Sequence, residues 1–205
     1  GILTKNRDGR PIKIEGNPEH PVSGGGLCAV GQAMVLGLYD SQRLKQPLAN
    51  GAPSDWSTVD GQISQALSQV QDGVYILTGS NTSPSTQAAI DGFLNQYGNA
   101  RHVVYDAVSY SAILDAHEQT HGVRTLPRYR FDQAEVIVGV EADFLGTWIS
   151  PVEFTKGYIQ GRTLEGDSPK LSHHAQFEGR MSLTGSNADH RVPIMTGESA
   201  TILRM

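Results

Sequence analysis

The sequence predicts an α/β fold whose sheet is mainly parallel. Three short apolar runs rich in β-branched residues predict buried strands at 74–78, 102–105 and 135–140. Helical spacing of apolar residues occurs at 59–70, 88–94, 111–121 and 151–160. Strands that alternate with helices form βαβ units, so we expect a Rossmann-like domain with three layers over residues 51–205.

A smaller region of hairpin and helix is expected to precede this domain, over residues 1–50. Asp8-Gly9 is typical of a type I′ turn between two short strands. Three consecutive glycines then come just before Cys28, so the backbone there can approach a neighbouring segment closely. A helical pattern starts directly after the cysteine, and turn-forming residues at 49–57 mark the boundary between the two regions.

The composition excludes several classes of protein. With 38% hydrophobic and 18% charged residues, the 205-residue chain is typical of a globular protein. A net charge of −5 without a basic run excludes a nucleic-acid interface. We expect no direct membrane span, because no apolar run reaches the length that spans a bilayer. A single cysteine excludes an internal disulfide framework.

That cysteine is the first candidate for chemistry. A glycine-rich loop delivers the Cys28 thiol to a predicted helix start, and a helix N-terminus favours the thiolate that soft metals and iron–sulfur clusters bind. One thiol alone cannot hold either ligand. The alternative is that Cys28 is a small hydrophobic residue of the core.

A second candidate is the H-E-x-x-H motif formed by His117, Glu118 and His121. On a helix the two histidines share a face, so they predict a zinc hydrolase as an alternative function. The adjacent Gly122 opposes this interpretation because it ends the helix where the second ligand must be held. No third histidine follows at the spacing that related metal sites use.

The C-terminal part of the sequence is polar and rich in glycine. Short strands are predicted there at 170–172 and 192–195. His173-His174 is interpreted as an exposed pair in a polar loop.

The N-terminal features occur in a distinctive order. A hairpin with Asp-Gly-Arg is followed by E-G-N-P-E-H-P-V-S-G-G, by G-x-L-C-A-x-G-Q and by L-Y-D-x-x-R-L-x-x-P-L. This order resembles the N-terminal domain of the molybdopterin oxidoreductase family. The resemblance implies that Cys28 is the fourth ligand of a [4Fe–4S] cluster whose other ligands, in a C-x2-C-x3-C run, precede the hairpin. Because the sequence opens at Gly1, we expect a fragment that holds no cluster by itself.

The resemblance continues into the larger region and implies an altered dinucleotide site. The loop at 79–85, with Gly79, Ser80 and Asn81, resembles the first half of the family's pterin-dinucleotide site, and Gly139 opens the second half. There Glu141 replaces part of a Gly-x-Asn turn, and its negative charge opposes phosphate binding. We therefore expect a vestigial site without bound molybdopterin guanine dinucleotide.

Members of this family that catalyse a reaction hold the metal through a Cys, selenocysteine, Ser or Asp side chain. The resemblance places Ser109 at about that position. The alternative to a vestigial site is therefore a catalytic molybdenum oxidoreductase with two pterin dinucleotides and Ser109 on the metal.

One branch of the family shares longer phrases with this sequence. A-D-F-L-G-T-W and T-G-S-N-A-D-H-R resemble the molybdopterin-like half of the B subunit of alternative complex III, a quinol-oxidising membrane assembly. The resemblance implies a scaffold in electron transfer rather than a catalyst. It also implies ferredoxin-like iron–sulfur, quinol-binding membrane and cytochrome c subunits as partners, at the periplasmic face of a bacterial membrane. Cys28 is a departure, because members of this branch often lack the cluster cysteine.

Overall fold

The computed structural model describes residues 1–71, 73–81, 83–164, 169 and 171–205. In this part of the chain the strands are β1 (Ile2–Arg7), β2 (Arg10–Gly16), β3 (Leu48–Ala49), β4 (Ala52–Pro53), β5 (Val74–Thr78), β6 (Ala100–Val104), β7 (Val136–Val140), β8 (His173–Glu178) and β9 (His190–Pro193). The α-helices are α1 (Ala29–Ala33), α2 (Trp56–Ser68), α3 (Pro84–Leu94), α4 (Ser111–His121), α5 (Pro151–Gln160), α6 (Leu183–Ser186) and α7 (Ser199–Ile202). The parallel sheets β5-β6 and β7-β8-β9 confirm the predicted α/β class.

Several predicted elements agree with the observed bounds. The strand predicted at 74–78 is β5, and the helices predicted at 111–121 and 151–160 are α4 and α5. The helix after Cys28 is shorter than its pattern predicts, since α1 gives way to a 3₁₀ helix at Met34–Leu38. The loop predicted at 79–85 and the strand predicted at 170–172 each include a residue outside the described part of the chain, namely 82 and 170.

The described residues form two compact units. Unit 1 combines Gly1–Ser41 with Ile113–Met205, and unit 2 comprises Gln42–Ala112. The hairpin region therefore belongs to the same compact unit as the C-terminal sheet, although about 70 residues separate them in the sequence. The boundary predicted after residue 50 falls inside unit 2 and remains a prediction about the domains of the full polypeptide.

The hairpin at the start of unit 1 has the predicted turn. Asp8 and Gly9 both have positive φ, +49° and +74°, which is the signature of a type I′ turn. Strands β1 and β2 pair in antiparallel register, with an irregularity between Lys5 and Asn6. The Tyr39 hydroxyl donates a hydrogen bond of 2.5 Å to the carbonyl of Pro11, so the 3₁₀ helix is held against the hairpin.

At its end the hairpin meets the loop that carries Cys28. A Cβ atom on Gly16 would lie 2.1 Å from the carbonyl oxygen of Gly25, which is backbone and cannot move aside alone. Gly25 itself has φ +89°, a conformation that favours glycine. The close approach expected of the three glycines is therefore made against Gly16.

We expect Gly16→Ala to lower the unfolding free energy of unit 1 by about 1–3 kcal/mol, the usual cost of forcing an extra methyl group into a packed site. Gly37→Ala is a matched control, because a Cβ on Gly37 meets no atom within 4 Å. Urea unfolding followed by Trp148 fluorescence, in a Trp56→Phe background, measures both. Equal midpoints for Gly16→Ala and Gly37→Ala would contradict the close approach.

The sheet of unit 1 separates two very different faces. Its strands lie in the order β7-β8-β9, and β8 was not predicted. The assignment of His173-His174 to a polar loop is wrong because both residues begin β8, and of the two only His173 is exposed as predicted. The inner face, which packs against α5 and α6, comprises Ile137, Gly139, His174, Gln176 and Glu178. The outer face comprises Val136, Val138, His173, Ala175, Phe177, His190 and Val192, and the rings of His173 and His190 lie 5.1 Å apart on it. His174 is fully buried on the inner face because side chains alternate along a strand.

An aromatic core lies between the inner face and α5. Phe144, Phe154 and Tyr158 are buried, and Phe131 and Trp148 pack against them. The Phe131 and Phe144 rings stack with centroids 4.3 Å apart. This core fixes α5 and the loop that follows β7 in one position.

Unit 2 is a smaller α/β element. Strands β5 and β6 pair in parallel, and α3 connects them and packs against β6. Asp55 caps α2 by accepting a hydrogen bond of 2.9 Å from the backbone N–H of Thr58. Across both units, no described helix combines the length and the apolar character needed to cross a membrane.

Candidate functional site

The Cys28 thiol lies at the N-terminus of α1, as predicted from the sequence. Its Sγ accepts a hydrogen bond of 3.5 Å from the backbone N–H of Gly31, and the residue is exposed. The preceding loop is closed by bonds from Gly26 N–H to the Ser23 carbonyl (2.7 Å) and from Gly24 N–H to the His20 carbonyl (2.9 Å). The thiol is therefore presented by a braced loop.

Cys28 also lines an open cavity of about 450 Å³ beside α5. The lining is mostly apolar: Leu27, Ala29, Leu145, Pro151, Val152, Ile159 and Leu183, with Gly26, Gly146, Thr155 and Lys156. Any group bound to the thiol on this side would lie against the first two turns of α5.

The residues around Cys28 provide one ligand for a metal centre. Within the described ranges, no three His, Cys, Asp or Glu side chains are arranged to hold a metal ion. Cys28 can therefore supply one thiolate of a cluster, and the described residues supply none of the other thiolates.

The first predicted dinucleotide loop, at the carboxyl end of β5, is closed by a carboxylate. Asp106 follows β6, and its Oδ1 accepts a hydrogen bond of 2.8 Å from the backbone N–H of Ser80, while its Oδ2 accepts one from the Ser80 hydroxyl. These bonds from Ser80 hold the pKa of Asp106 below its usual value. Asn81 Oδ1 accepts from the backbone N–H of Ser83, which caps α3. A carboxylate thus occupies a backbone donor that would otherwise be open to an anion.

The second predicted loop, at the carboxyl end of β7, is closed in the same way. Glu141 has a positive φ of +54°, and its Oε1 accepts a hydrogen bond of 3.0 Å from the backbone N–H of Gly179 at the end of β8. Gly139 lies directly under Gln176, since a Cβ on this glycine would lie 1.9 Å from Gln176 Oε1. The glycine therefore makes room for an internal side chain.

Asp143 fixes the rest of this loop. Its Oδ1 accepts hydrogen bonds from the backbone N–H and the hydroxyl of Thr184, at 3.1 Å and 2.8 Å, and its Oδ2 accepts from the Thr147 hydroxyl. Burial raises the pKa of Asp143, but the bonds from Thr184 and Thr147 outweigh it and leave that pKa below its usual value. The loop therefore carries two hydrogen-bonded carboxylates, those of Glu141 and Asp143, at the edge where open α/β sheets bind ligands.

A buried row of polar side chains on β8 was missed by the sequence analysis. His174 and Gln176 are fully buried, and Glu178 is 2% exposed. The alternation of His, Gln and Glu at every second position was a signal for a strand, but polar residues of this kind are usually assigned to the solvent side.

Glu178 accepts hydrogen bonds from three residues, of which Gln176 lies farthest, with its Nε2 3.5 Å from Glu178 Oε2. Arg191 Nε lies 2.7 Å from its Oε1, and the backbone N–H and hydroxyl of Ser182 also donate to it, at 2.9 Å and 2.5 Å. Burial raises the pKa of Glu178, but these bonds and the positive charge of Arg191 outweigh it and leave the pKa below its usual value. Gly185 packs on this carboxylate, because a Cβ there would lie 1.9 Å from Glu178 Oε1.

A second ion pair closes the other end of the row. Arg162 donates to both carboxylate oxygens of Asp189, at 2.9 Å and 2.6 Å, and the backbone N–H of His174 donates to Asp189 Oδ2 at 2.7 Å. The hydrogen bonds from Arg162 hold the pKa of Asp189 far below its usual value, although burial opposes them. The buried polar row therefore has a salt bridge at each end, Glu178–Arg191 at one and Asp189–Arg162 at the other.

His174 connects the two ends. Its Nδ1 lies 3.2 Å from the Tyr158 hydroxyl and its Nε2 lies 3.3 Å from Gln176 Oε1. The Tyr158 hydroxyl also donates a hydrogen bond of 3.0 Å to the carbonyl of Asn187. Burial lowers the pKa of His174, although the bond to Gln176 opposes the shift.

We expect the unfolding free energy to fall as the pH drops below about 6.5, because the unfolded chain then binds a proton that buried His174 resists. In His174→Gln this part of the pH dependence should be lost. Urea unfolding at a series of pH values measures it, with His173→Gln, on the other side of the same strand, as the control. The same pH dependence in both variants would contradict the assignment.

The remaining predicted residues lie on α4 or, in the case of Ser109, two residues before it. The Ser109 hydroxyl accepts a hydrogen bond of 3.1 Å from the backbone N–H of Ser111, at the start of the helix. The rings of His117 and His121 stack with centroids 5.0 Å apart, and Glu118 lies 3.8 Å from Arg124. The structure thus brings the two histidines together, and the described residues provide no third ligand for a zinc ion there.

Comparison with known proteins gives no match to a family model. The chain is 23% identical, over 99% of its length, to the molybdopterin-binding-like subunit of menaquinone reductase from Nitratidesulfovibrio vulgaris. It is also 32% identical over 37% of its length to the major subunit of formate dehydrogenase-O from Escherichia coli, and 40% identical over 27% to a sulfite dehydrogenase subunit from Allochromatium vinosum.

These relatives support the molybdopterin oxidoreductase family for this chain, in agreement with the resemblance of its N-terminal motifs. The matches cover about 30% of the menaquinone reductase polypeptide, 8% of the formate dehydrogenase polypeptide and 6% of the sulfite dehydrogenase polypeptide. The chain therefore corresponds to a minor part of each of these proteins.

Proposed function

We propose that this chain is part of a molybdopterin-oxidoreductase-like iron–sulfur subunit that serves electron transfer in a respiratory redox complex and binds no molybdenum cofactor. The observation that carries this proposal is the same in both units: a carboxylate accepts hydrogen bonds from the loop at the carboxyl end of a parallel strand. In each half of the predicted dinucleotide site, one backbone N–H group is therefore bonded to a carboxylate of the chain itself.

Electrostatics and hydrogen bonding oppose a pterin dinucleotide for separate reasons. Its phosphates would approach the carboxylates of Asp106 and Glu141, and like charges repel. They would also have to displace these carboxylates from the N–H groups of Ser80 and Gly179, and each released carboxylate would need new partners. The menaquinone reductase relative is named a molybdopterin-binding-like subunit, and we propose the same class of subunit for this chain.

Several relatives are named as subunits, which supports a multi-subunit complex for this protein as well. We propose that its partners are quinone-linked membrane subunits together with a ferredoxin-like iron–sulfur subunit. The particular branch, whether alternative complex III or a menaquinone reductase, remains part of the proposal.

Cys28 would contribute to electron transfer as one thiolate ligand of a [4Fe–4S] cluster in the intact protein. Its exposed position on a braced loop at a helix N-terminus supports this role, because a thiolate there gains the hydrogen bond from Gly31. The other ligands would come from outside the described residues.

Iron analysis and electron paramagnetic resonance of the intact polypeptide test this role. In Cys28→Ser we expect the signal of one cluster to disappear or to change its g values, since serine removes the thiolate while it keeps a side-chain acceptor for the helix N-terminus. Val30→Ala, an exposed change on the same helix, is the control. An unchanged iron content and spectrum in Cys28→Ser would exclude Cys28 as a ligand.

A further inference from the structure

A second cavity of unit 1, of about 310 Å³, lies beside α5 and shares Lys156 with the cavity next to Cys28. The loop that leads to Cys28 forms one part of its wall, through Pro21, Val22 and Gly24. The rest of the lining is rich in charged side chains, namely Arg128, Arg130, Asp132, Glu153 and Lys156. The cavity uses none of the residues assigned above to cluster ligation or to the dinucleotide loops.

The lining carries one more positive charge than negative, since three cationic side chains face two carboxylates, within a chain whose net charge is −5. The hydrogen bonds from Arg130 hold the pKa of Asp132 below its usual value against the effect of burial, and the positive charge of Arg128 adds to the shift. The two arginines therefore act on the same carboxylate. An excess of positive charge in a hollow raises the local concentration of anions.

The arginines keep hydrogen-bond donors that their carboxylate partners do not use. Arg128 donates to Glu153 through Nε. Arg130 donates to Asp132 through Nε at 3.0 Å and through Nη2 at 2.8 Å. Among the residues that the structure describes, none accepts a hydrogen bond from the two Nη atoms of Arg128, from Nη1 of Arg130 or from Nζ of Lys156. The Arg128 and Arg130 side chains are 63% and 58% exposed, so an anion from solution can reach them.

The walls of this cavity are held in place without a ligand. The side chain of Glu153 is only 15% exposed and also accepts a hydrogen bond of 3.2 Å from the Ser150 hydroxyl. Tyr129 packs its ring edge-to-face against that of Phe154 in the aromatic core, with centroids 5.8 Å apart. The loop at 20–26 is closed by two backbone hydrogen bonds. The cavity is therefore preformed, as binding sites for small ligands usually are.

We propose that this cavity binds a phosphate group, either of the free ion or of a small phosphate ester. Two guanidinium groups and one ammonium group offer donors to several oxygens of one anion, and arginine pairs with phosphate through two parallel hydrogen bonds. A carboxylate has two oxygens and a single charge, so it satisfies fewer of these donors. The proposal is independent of the role assigned to Cys28, because it involves neither iron nor ligation by the thiol.

Isothermal titration calorimetry of the intact polypeptide with inorganic phosphate, at constant ionic strength set with sodium chloride, tests the site. Lys156→Gln should weaken binding about tenfold or more, because a charge-assisted hydrogen bond to the anion is lost. Its urea midpoint should stay unchanged, since Lys156 is exposed and forms no hydrogen bond with the described residues. Arg180→Gln, which removes an exposed positive charge outside the cavity in unit 1, is the control and should keep the affinity.

A second titration, with glycerol 3-phosphate, identifies the source of the phosphate group. Tighter binding of glycerol 3-phosphate than of inorganic phosphate would assign the cavity to an ester, and the reverse order would assign it to the free ion. Acetate should bind about tenfold or more weakly than either, because it offers fewer oxygens and less charge.

Three results would overturn the proposal. The first is the absence of binding at millimolar phosphate and glycerol 3-phosphate, which is also the result expected if another segment of the polypeptide fills the cavity. The second is equal affinity of Lys156→Gln and Arg180→Gln for phosphate, which would place the anion elsewhere. The third is acetate binding as tight as that of phosphate. The iron and molybdenum contents of the polypeptide enter none of these outcomes.

Discussion

Replacement of Arg191 by alanine is expected to lower the unfolding free energy of unit 1 by about 3 kcal/mol, the usual cost of leaving one member of a buried ion pair without its partner. Glu178 is 2% exposed and accepts Arg191 Nε at 2.7 Å. Without the guanidinium, the carboxylate keeps the two donors of Ser182 and a long hydrogen bond of 3.5 Å from Gln176 Nε2. It must then take up a proton or admit water.

Urea unfolding followed by Trp148 fluorescence measures the loss. Arg180→Ala is the matched control, because Arg180 is exposed and such a change costs about 0.5 kcal/mol or less. Adding Glu178→Gln to Arg191→Ala should recover part of the loss, since no unpaired charge then remains buried. An Arg191→Ala protein as stable as Arg180→Ala would show that the pair does not hold the inner face.

The second large effect is expected in the aromatic core. Phe154→Ala should lower the unfolding free energy by about 3–5 kcal/mol, through lost burial and the cavity that remains. Phe154 is 1% exposed, and its ring packs against those of Tyr129, Phe131 and Trp148. Removing it takes away the contact of α5 with Trp148, in the loop after β7.

The same unfolding measurement, read by circular dichroism because Trp148 lies next to the change, tests this prediction. Ile159→Ala on the same helix is the control, since that side chain is 56% exposed. A similar loss in both variants would mean that α5 is held by its helical propensity rather than by the core.

Much of the fold could be predicted because its signals are local. The Asp8-Gly9 turn needs positive φ at two adjacent residues, and the sequence supplies the residues that tolerate it. Strand β5 and helices α4 and α5 are bounded by nearby glycines, prolines or serines, so their ends were predicted correctly. Such signals act within a few residues of the element.

Strand β8 could not be predicted because its partners are distant. Glu178 is stabilised in the interior by Arg191, 13 residues away, and Gln176 reaches the carbonyl of Ala142, 34 residues away. A pattern of alternating polar residues says nothing about which loops will supply those partners. Burial of the row follows from tertiary structure alone.

The candidate site could be predicted only in part, because some of its contacts also join residues that lie far apart in the sequence. The position of Cys28 at a helix N-terminus followed from the adjacent glycines and the helical pattern after them. The bond between Asp106 and Ser80 spans 26 residues, and that between Glu141 and Gly179 spans 38. The charge of Glu141 was visible in the sequence, but the donor it would occupy was not.

The most direct test of the proposed function is the molybdenum and pterin content of the intact polypeptide. Metal analysis and fluorescence of the oxidised pterin after acid extraction, calibrated with molybdopterin guanine dinucleotide, give both ratios on one sample. Because Asp106 occupies the backbone N–H of Ser80 and Glu141 occupies that of Gly179, we predict far less than one molybdenum and one pterin per polypeptide. Stoichiometric amounts of both would contradict the proposal and would make Ser109 the first residue to test as a metal ligand.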